Sequence, residues 1–261
     1  MNNHQKTIAI LGANGRLGNE ALHAFHDSGY RVIPITRNGR IRKTPKDTKC
    51  RAADALDLRQ LKKATRGANF IFNGLNPVYT EWARSALPMA RNVMKVCQET
   101  RAIHLFPGNV YVYGEGAPDV FAEDTIHGAT NPMGRIRVEM EKAFAQSGVP
   151  TILLRCGDFL DTGPTGNWFD KIIVKNLSKG KFVYPGNPKI PRSWAYLPDY
   201  CRAFVALAEK RKELPRFVSL NYEGYTVSGA QMAEFFGVKV QRMSWLPIYL
   251  LAPFWKLAPR L

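Results

Sequence analysis

The 261-residue sequence has four cysteines and no two are neighbours: Cys50, Cys97, Cys156 and Cys201 make no C-x-x-C pair. That spacing argues against a disulfide framework or a thiolate site, so no metal is expected and the thiols read as reduced packing residues. Long apolar runs are missing too. The longest greasy stretch, residues 245–255, is broken by Pro247 and Pro253 and falls short of the ~20 residues that a membrane-spanning helix requires. Polar residues 1–6 lead straight into a strand-like run, with no apolar segment before a cleavage-like site, so no secretory signal is expected. A cytoplasmic location without an integral membrane segment follows as the expectation. Neither low-complexity tracts nor repeats of solenoid period occur. The apolar stretch before Leu261 reads either as a packed terminal helix or as a chain continuing further.

Acidic residues are scarce, and their scarcity is local. The formal charge is +16, and residues 37–66 alone hold eleven Lys/Arg against Asp47, Asp54 and Asp57. A patch of this kind attracts anions: a phosphorylated cofactor, an acidic ligand, a membrane surface or nucleic acid. No base-reading motif or interleaved aromatic series accompanies it, which weighs against nucleic acid.

What is present is an alternation of strand-like and helix-like segments. Strand patterns fall at residues 7–11, 30–36, 50–53, 69–74, 102–107 and 151–155. Helical spacing falls between them at 16–28, 56–65, 81–100 (with Pro88 expected to kink it) and 134–147. This predicts an α/β fold, a doubly wound parallel sheet of Rossmann type, over residues 1–156. Beyond Cys156 the rhythm changes. Residues 167–178, 199–210 and 228–236 read as helices, and 181–184 and 216–221 as short strands. Residues 157–261 are therefore expected to form a smaller substrate-side lobe with returns to the sheet.

Between the first strand and the first helix stands Gly12-Ala-Asn14-Gly15-Arg16-Leu17-Gly18. A glycine-rich turn at that junction lets backbone N–H groups meet a pyrophosphate, and the helix start adds its positive dipole end. The ligand expected there is a nicotinamide dinucleotide. An acid at the end of the second strand would accept the adenosine ribose hydroxyls; the chain has Thr36-Arg37-Asn38, followed by Arg40, Arg42 and Lys43. A guanidinium can pair with a 2'-phosphate, so NADP(H) is expected over NAD(H). Asp54, after the third strand, is a candidate for the adenine amino group.

These pieces, with Asp54-Ala55, Asn73-Gly74, Val112-Tyr-Gly114, Arg155-Cys-Gly-Asp158 and Trp194-Ala-Tyr-Leu-Pro-Asp199, resemble the extended short-chain dehydrogenase/reductase superfamily in its NAD-dependent epimerase/dehydratase branch. The resemblance extends the cofactor set to Gly12, Asn14, Gly15, Arg16, Leu17, Gly18, Arg37, Asp54, Ala55, Asn73, Gly74, Leu75, Pro107, Gly108 and Arg137. It also implies a Ser/Thr and a Tyr-x-x-x-Lys at the reacting end. Here Asn109 takes the hydroxyl position, Met133 the tyrosine and Arg137 the lysine. Methionine transfers no proton, and arginine keeps its charge. Asn109, Arg137 and Tyr111 are the catalytic candidates, with Tyr113 and Tyr196 as other phenols. Tyr113, Asn167, Trp168, Arg192 and Trp194 are the substrate candidates, suiting a small carbonyl or sugar-like ligand. An oxidoreductase or epimerase/dehydratase-like enzyme with an altered acid/base site is the expected function. The alternatives are water as the acid, or a silent NADP(H)-binding redox sensor of NmrA-like type. Homo-oligomerisation is compatible with either.

Overall fold

A computed structural model describes residues 5–46, 48–164 and 166–246. The apolar C-terminal stretch lies mostly outside the described residues, so neither reading of it is tested. The chain divides into two compact units, Met1–Arg155 with Pro198–Asn221, and Cys156–Leu197 with Tyr222–Leu261.

The first unit is built on strands β1 (Thr7–Leu11), β2 (Arg31–Thr36), β3 (Arg51–Ala52), β4 (Phe70–Asn73), β5 (Ile103–Asn109), β6 (Thr151–Cys156) and β10 (Phe217–Asn221). Their order is β10-β6-β5-β4-β1-β2-β3, and the pairings are parallel. Parallel neighbours need crossovers. These are supplied by α1 (Arg16–Asp27), α2 (Leu58–Thr65), α3 (Trp82–Thr100), α4 (Pro132–Gln146) and α5 (Leu197–Glu209). The doubly wound sheet predicted from the alternation is what forms, with β10 as a seventh strand.

Both faces of the sheet are covered, which is why β1 is buried at all five positions and apolar at the four after Thr7. On one face Ala9, Leu11, Ile33, Ile35, Ile71 and Phe106 meet Ala90, Val93 and Val96 of α3 and Phe144 of α4. On the other, Phe25 of α1 lies edge-on to Phe72, which meets Phe204 of α5 in the same way. Helix α1 ends where predicted: Gly29 has a φ of 83°, and its N–H donates to the His26 carbonyl. Helix α3 continues through Pro88.

The second unit contains β7 (Asp158–Leu160), β8 (Phe182–Tyr184), β9 (Pro191–Tyr196), β11 (Tyr225–Ser228), α6 (Gly229–Phe235) and β12 (Val240–Arg242). Strand β9 lies between β7 and β11, and β12 pairs with β8. The helix expected over 167–178 does not form. A single π-turn, Phe169–Ile173, and a 3-10 turn, Leu177–Lys179, take its place. The stretch buries its apolar residues against Phe182 and Trp194, so tertiary contact overrides the helical pattern. Ser228 and Gln231 form a reciprocal cap that starts α6.

A polar relay crosses β4, β5 and β6 inside the first unit. Thr151 donates to the Val149 carbonyl (3.1 Å), so its oxygen accepts from His104 Nδ1 at 3.4 Å. His104 Nε2 in turn accepts from Asn73 Nδ2 at 3.2 Å. Burial holds His104 down at about 3, against 6.5 for the unperturbed group. The unfolded chain thus binds the extra proton between those values. Stability from neutral His104 is complete above pH 6.5 and drains away as pH falls toward 3. Each pH unit in that window is worth up to about 1.4 kcal/mol. Replacing His104 with Phe should lower Tm at neutral pH by orphaning Asn73, yet flatten the fall of Tm from pH ~6.5 to ~4. An undiminished slope in thermal melts would assign the acid sensitivity to other groups.

Candidate functional site

The carboxyl ends of β1, β2, β4 and β5 lie side by side in the parallel sheet, and the strand order reverses between β1 and β4. That reversal is where α/β sheets place ligands. The glycine turn leaves β1 at this point. Gly12 has a φ of 72°, and the Gly15 N–H donates to its carbonyl at 2.8 Å. A Cβ on Gly12 would stand 2.6 Å from the Gly74 oxygen; one on Gly18 would stand 2.3 Å from the Gly12 oxygen. Backbone therefore meets backbone from β1, α1 and the segment after β4. Helix α1 begins at Gly15 without a side-chain cap, which leaves its first turn suited to an anion.

The basic loop after β2 is tied to this turn. Asn14 donates from Nδ2 to the Arg40 carbonyl (2.7 Å) and accepts from the Arg42 N–H (3.1 Å). Asn19 donates to the Lys43 carbonyl at 2.8 Å, and Thr36 to the Arg40 carbonyl at 3.1 Å. Arg37, Arg40, Arg42 and Lys43 are all exposed, and none joins an ion pair among the described residues. Asn14, expected as a cofactor contact, spends both ends of its amide on the loop. Asn19 was missed by sequence reasoning, although it directly follows the third glycine.

Asp54 accepts from the Leu56 N–H at 2.9 Å, and Asn92 of α3 fixes the Ala55 and Leu56 carbonyls at 3.0 Å each. Asn73 and Leu75 line a small pocket with Asn76, Pro77, Trp82 and Arg137. Two buried atoms there have no partner, Asn73 Oδ1 and Arg137 Nε. Pro107 and Gly108 belong to the last turn of β5, and a Cβ on Gly108 would press on Arg155.

Arg137 is buried, with its guanidinium 4.6 Å from the Trp82 ring and 5.5 Å from that of Phe106. Burial pushes its pKa below the usual guanidinium range; the Glu141 carboxylate opposes this, as do the phenols of Tyr111 and Tyr79. The charge itself persists. Glu141 is the buried ion-pair partner of Arg155 at 2.7 Å. Met133 is buried on α4, just after the Asn131 cap that accepts from the Gly134 N–H at 2.8 Å.

The expected catalytic residues come near one another. Asn109 accepts from the Tyr111 N–H at 3.1 Å and so caps the 3-10 turn Val110–Val112. Tyr111 is exposed, its ring 6.4 Å from Trp82. Tyr79, on the loop after β4, lies 5.3 Å from Trp82. Sequence reasoning passed over both Tyr79 and Trp82, which carry no motif of their own.

Three of the residues expected at the substrate are engaged within the protein. Tyr113 is buried and stacked on Phe121, and its hydroxyl donates to Asn221 at 2.8 Å, so it serves the first unit's interior. Trp194 is fully buried and donates to the Val227 carbonyl in the core of the second unit. Asn167 opens the π-turn, accepting from the Asp170 N–H and donating to the Phe159 carbonyl. Trp168 and Arg192 do form a polar cluster in the second unit. Both bind Asp158, at 3.2 Å and 3.6 Å, and Arg192 lies 5.1 Å over the Trp168 ring. Tyr196 stands on β9 of that unit.

A sequence profile of the NAD dependent epimerase/dehydratase family matches residues 8–221. The chain belongs to this family. No curated protein sequence matches it. Solved structures with the same fold include L-threonine dehydrogenase from Clostridium difficile, at 18% identity and a TM-score of 0.76, covering 92% of this chain and 84% of that one. The dTDP-glucose 4,6-dehydratase of Bacillus anthracis, in complex with NAD, gives 16% and 0.75, covering 91% and 84%. UDP-glucose 4-epimerase from Brucella ovis, also with NAD, gives 15% and 0.74, covering 92% and 86%. No described helix is long and apolar enough to cross a membrane.

The residues present fit the family's dinucleotide. A Cβ at Gly12 or Gly18 would fill the turn that a diphosphate must approach. Gly18→Ala should therefore lower Tm and reduce dinucleotide binding at least tenfold, because the clash is with backbone that cannot rotate away. Calorimetric titration with NADH and NADPH reads this directly, and wild-type affinity in the variant would refute the close approach.

Proposed function

We propose that this chain is an NADP(H)-preferring oxidoreductase or epimerase/dehydratase-like enzyme whose proton donor is not the family's usual tyrosine. The observation that carries the reading is the joining of two features at one switch point. A three-glycine turn closes on backbone, and the cationic loop carrying Arg37, Arg40, Arg42 and Lys43 is bonded to it. Gly12, Gly15 and Gly18 would hold the diphosphate, and Arg37 would meet the 2'-phosphate. When bound, the dinucleotide supplies two-electron oxidation or reduction of a substrate carbon.

The chain's own residues divide the remaining work. Met133 has no proton to give. Arg137 is a fixed cation under Trp82, electrostatically coupled to the phenols of Tyr111 and Tyr79. Both rings lie beside the Trp82 that Arg137 faces, at 6.4 Å for Tyr111 and 5.3 Å for Tyr79. Tyr111 is the better donor of the two, because Asn109 and Tyr111 share one turn at the end of β5. Asn109 keeps its amide N–H groups for a substrate oxygen. The substrate class fitting this arrangement is a small carbonyl or sugar-like compound.

The buried methionine at the tyrosine position favours a second reading, a dinucleotide-binding regulator without turnover. NADPH consumption across carbonyl compounds and nucleotide sugars separates the two. Turnover supports the enzyme; tight binding with no consumption in any of them supports the regulator. In the enzyme, Tyr111→Phe should cut kcat by ~100-fold with little change in NADPH affinity, and an unchanged kcat would remove Tyr111 from the proposal. Arg37→Ala should weaken NADPH binding about tenfold or more and NADH binding hardly at all. Equal losses for the two nucleotides would overturn the cofactor preference.

A further inference from the structure

The basic loop after β2 is held in place by hydrogen bonds from outside itself. Residues 30–46 contain no acid, so five like charges (Arg37, Arg40, Arg42, Lys43 and Lys46) lie within ten positions. Like charges on a short loop repel and spread it. An unfastened loop of this composition would pay the ordering entropy again whenever an anion bound. Here, instead, the loop backbone is fastened at three successive cationic residues. The Arg40 carbonyl accepts from both Asn14 (2.7 Å) and Thr36 (3.1 Å), the Arg42 N–H donates to Asn14 (3.1 Å), and the Lys43 carbonyl accepts from Asn19 (2.8 Å). A fourth bond, from the Arg40 N–H to Asn38 at 3.1 Å, tightens the bend from within. Gly39 turns there with a φ of 69°, and Pro45 is buried at the far end.

Besides Thr36 of β2, the fasteners are Asn14 of the glycine turn and Asn19 of the first turn of α1, the elements that would hold the diphosphate. A side chain that grips the loop thereby sets the distance between the diphosphate subsite and the cations. We propose that Asn14 and Asn19 are specificity-determining positioning residues: they hold the backbone of the cationic loop so that its guanidinium and ammonium groups favour an adenosine carrying a 2'-phosphate over one without it. Neither amide needs to touch the phosphate. This inference rests on the NADP(H) reading given above and adds how the preference is built.

The preference can be measured on the adenosine end alone, without turnover. The probes are adenosine 2',5'-bisphosphate and adenosine 5'-monophosphate, titrated calorimetrically into the full chain at low salt, with Tm recorded for each variant. The wild type should bind the bisphosphate at least tenfold more tightly, and added salt should shrink that ratio. Asn14→Ala removes two bonds to the loop and should reduce the ratio about tenfold. Affinity for the monophosphate should change less than twofold. Asn19→Ala removes one bond to the loop, together with a longer one to the Ala13 carbonyl at 3.4 Å, and should reduce the ratio about threefold; it keeps the proposal testable if Asn14→Ala does not fold. A variant that loses affinity for both probes equally would show a merely structural role and overturn the proposal, as would an unchanged ratio in both variants. A wild type that binds the two probes alike would overturn the cofactor preference itself. A wild-type preference that survives both substitutions would sink the positioning role and leave the cofactor preference standing.

Discussion

The structure depends on one contact between main chains. The Gly12 carbonyl accepts from the Gly15 N–H and lies where a Cβ of Gly18 would stand, while the Gly12 Cα faces the Gly74 oxygen. No side chain larger than hydrogen fits at either glycine without moving backbone. The consequence is geometric. Helix α1 starts directly over the end of β1, its open first turn faces the switch point, and β4 closes beside it. The whole carboxyl-end surface of the first unit takes its shape from this approach.

Charge is arranged around that contact with the same economy. A cationic loop stabilises nothing by itself in water, where exposed charges are screened within ~8 to 10 Å. Its value lies in being presented at a fixed place beside a helix start whose partial charge has the same sign. Repulsion between these positive centres is a cost carried in the ligand-free state. The amides of Asn14 and Asn19 offset it by holding backbone groups, which leaves the charged heads exposed. The second cationic element, Arg137, is treated in the opposite way. It is buried under Trp82 and beside Phe106, where aromatic faces replace the carboxylate that a buried guanidinium usually requires.

Legibility in the sequence followed the range of the forces involved. The sheet was readable because each of its strands is a local run, and because a strand buried on both faces must be apolar at successive positions, as residues 8–11 are. The glycine turn was readable because its constraint is local and only glycine meets it. Residues 167–178 were misread as a helix: their apolar spacing suits a helix, yet the burial of Ile173 with Phe182 and Trp194 bends the stretch into separate turns. Aromatic residues misled for a related reason. Tyr113 and Trp194 carry polar tips that a site would use, but Asn221 and the Val227 carbonyl, 108 and 33 positions away, take those tips into the interior. Asn19 was invisible because its partner is a backbone carbonyl 24 residues on, which no side-chain pattern announces.

In the proposed function, Arg137 and Met133, which the resemblance aligns with a lysine and a tyrosine, are read together as one change. A lysine ammonium beside a phenol is a small, mobile charge with three donors, and it needs the phenol in the next helical turn to act upon. A guanidinium is planar and keeps its proton; once stacked on Trp82 it is held by its faces, leaving its edge for hydrogen bonding. With arginine in that slot, a phenol at position 133 would be superfluous if another already lay within its field. Tyr111 and Tyr79 both stand beside the Trp82 that Arg137 faces, from the 3-10 turn after β5 and from the turn after β4. In that proposal the proton-handling group stands at the rim of the sheet, on the turn that Asn109 caps, while the cation is held on α4 against Trp82.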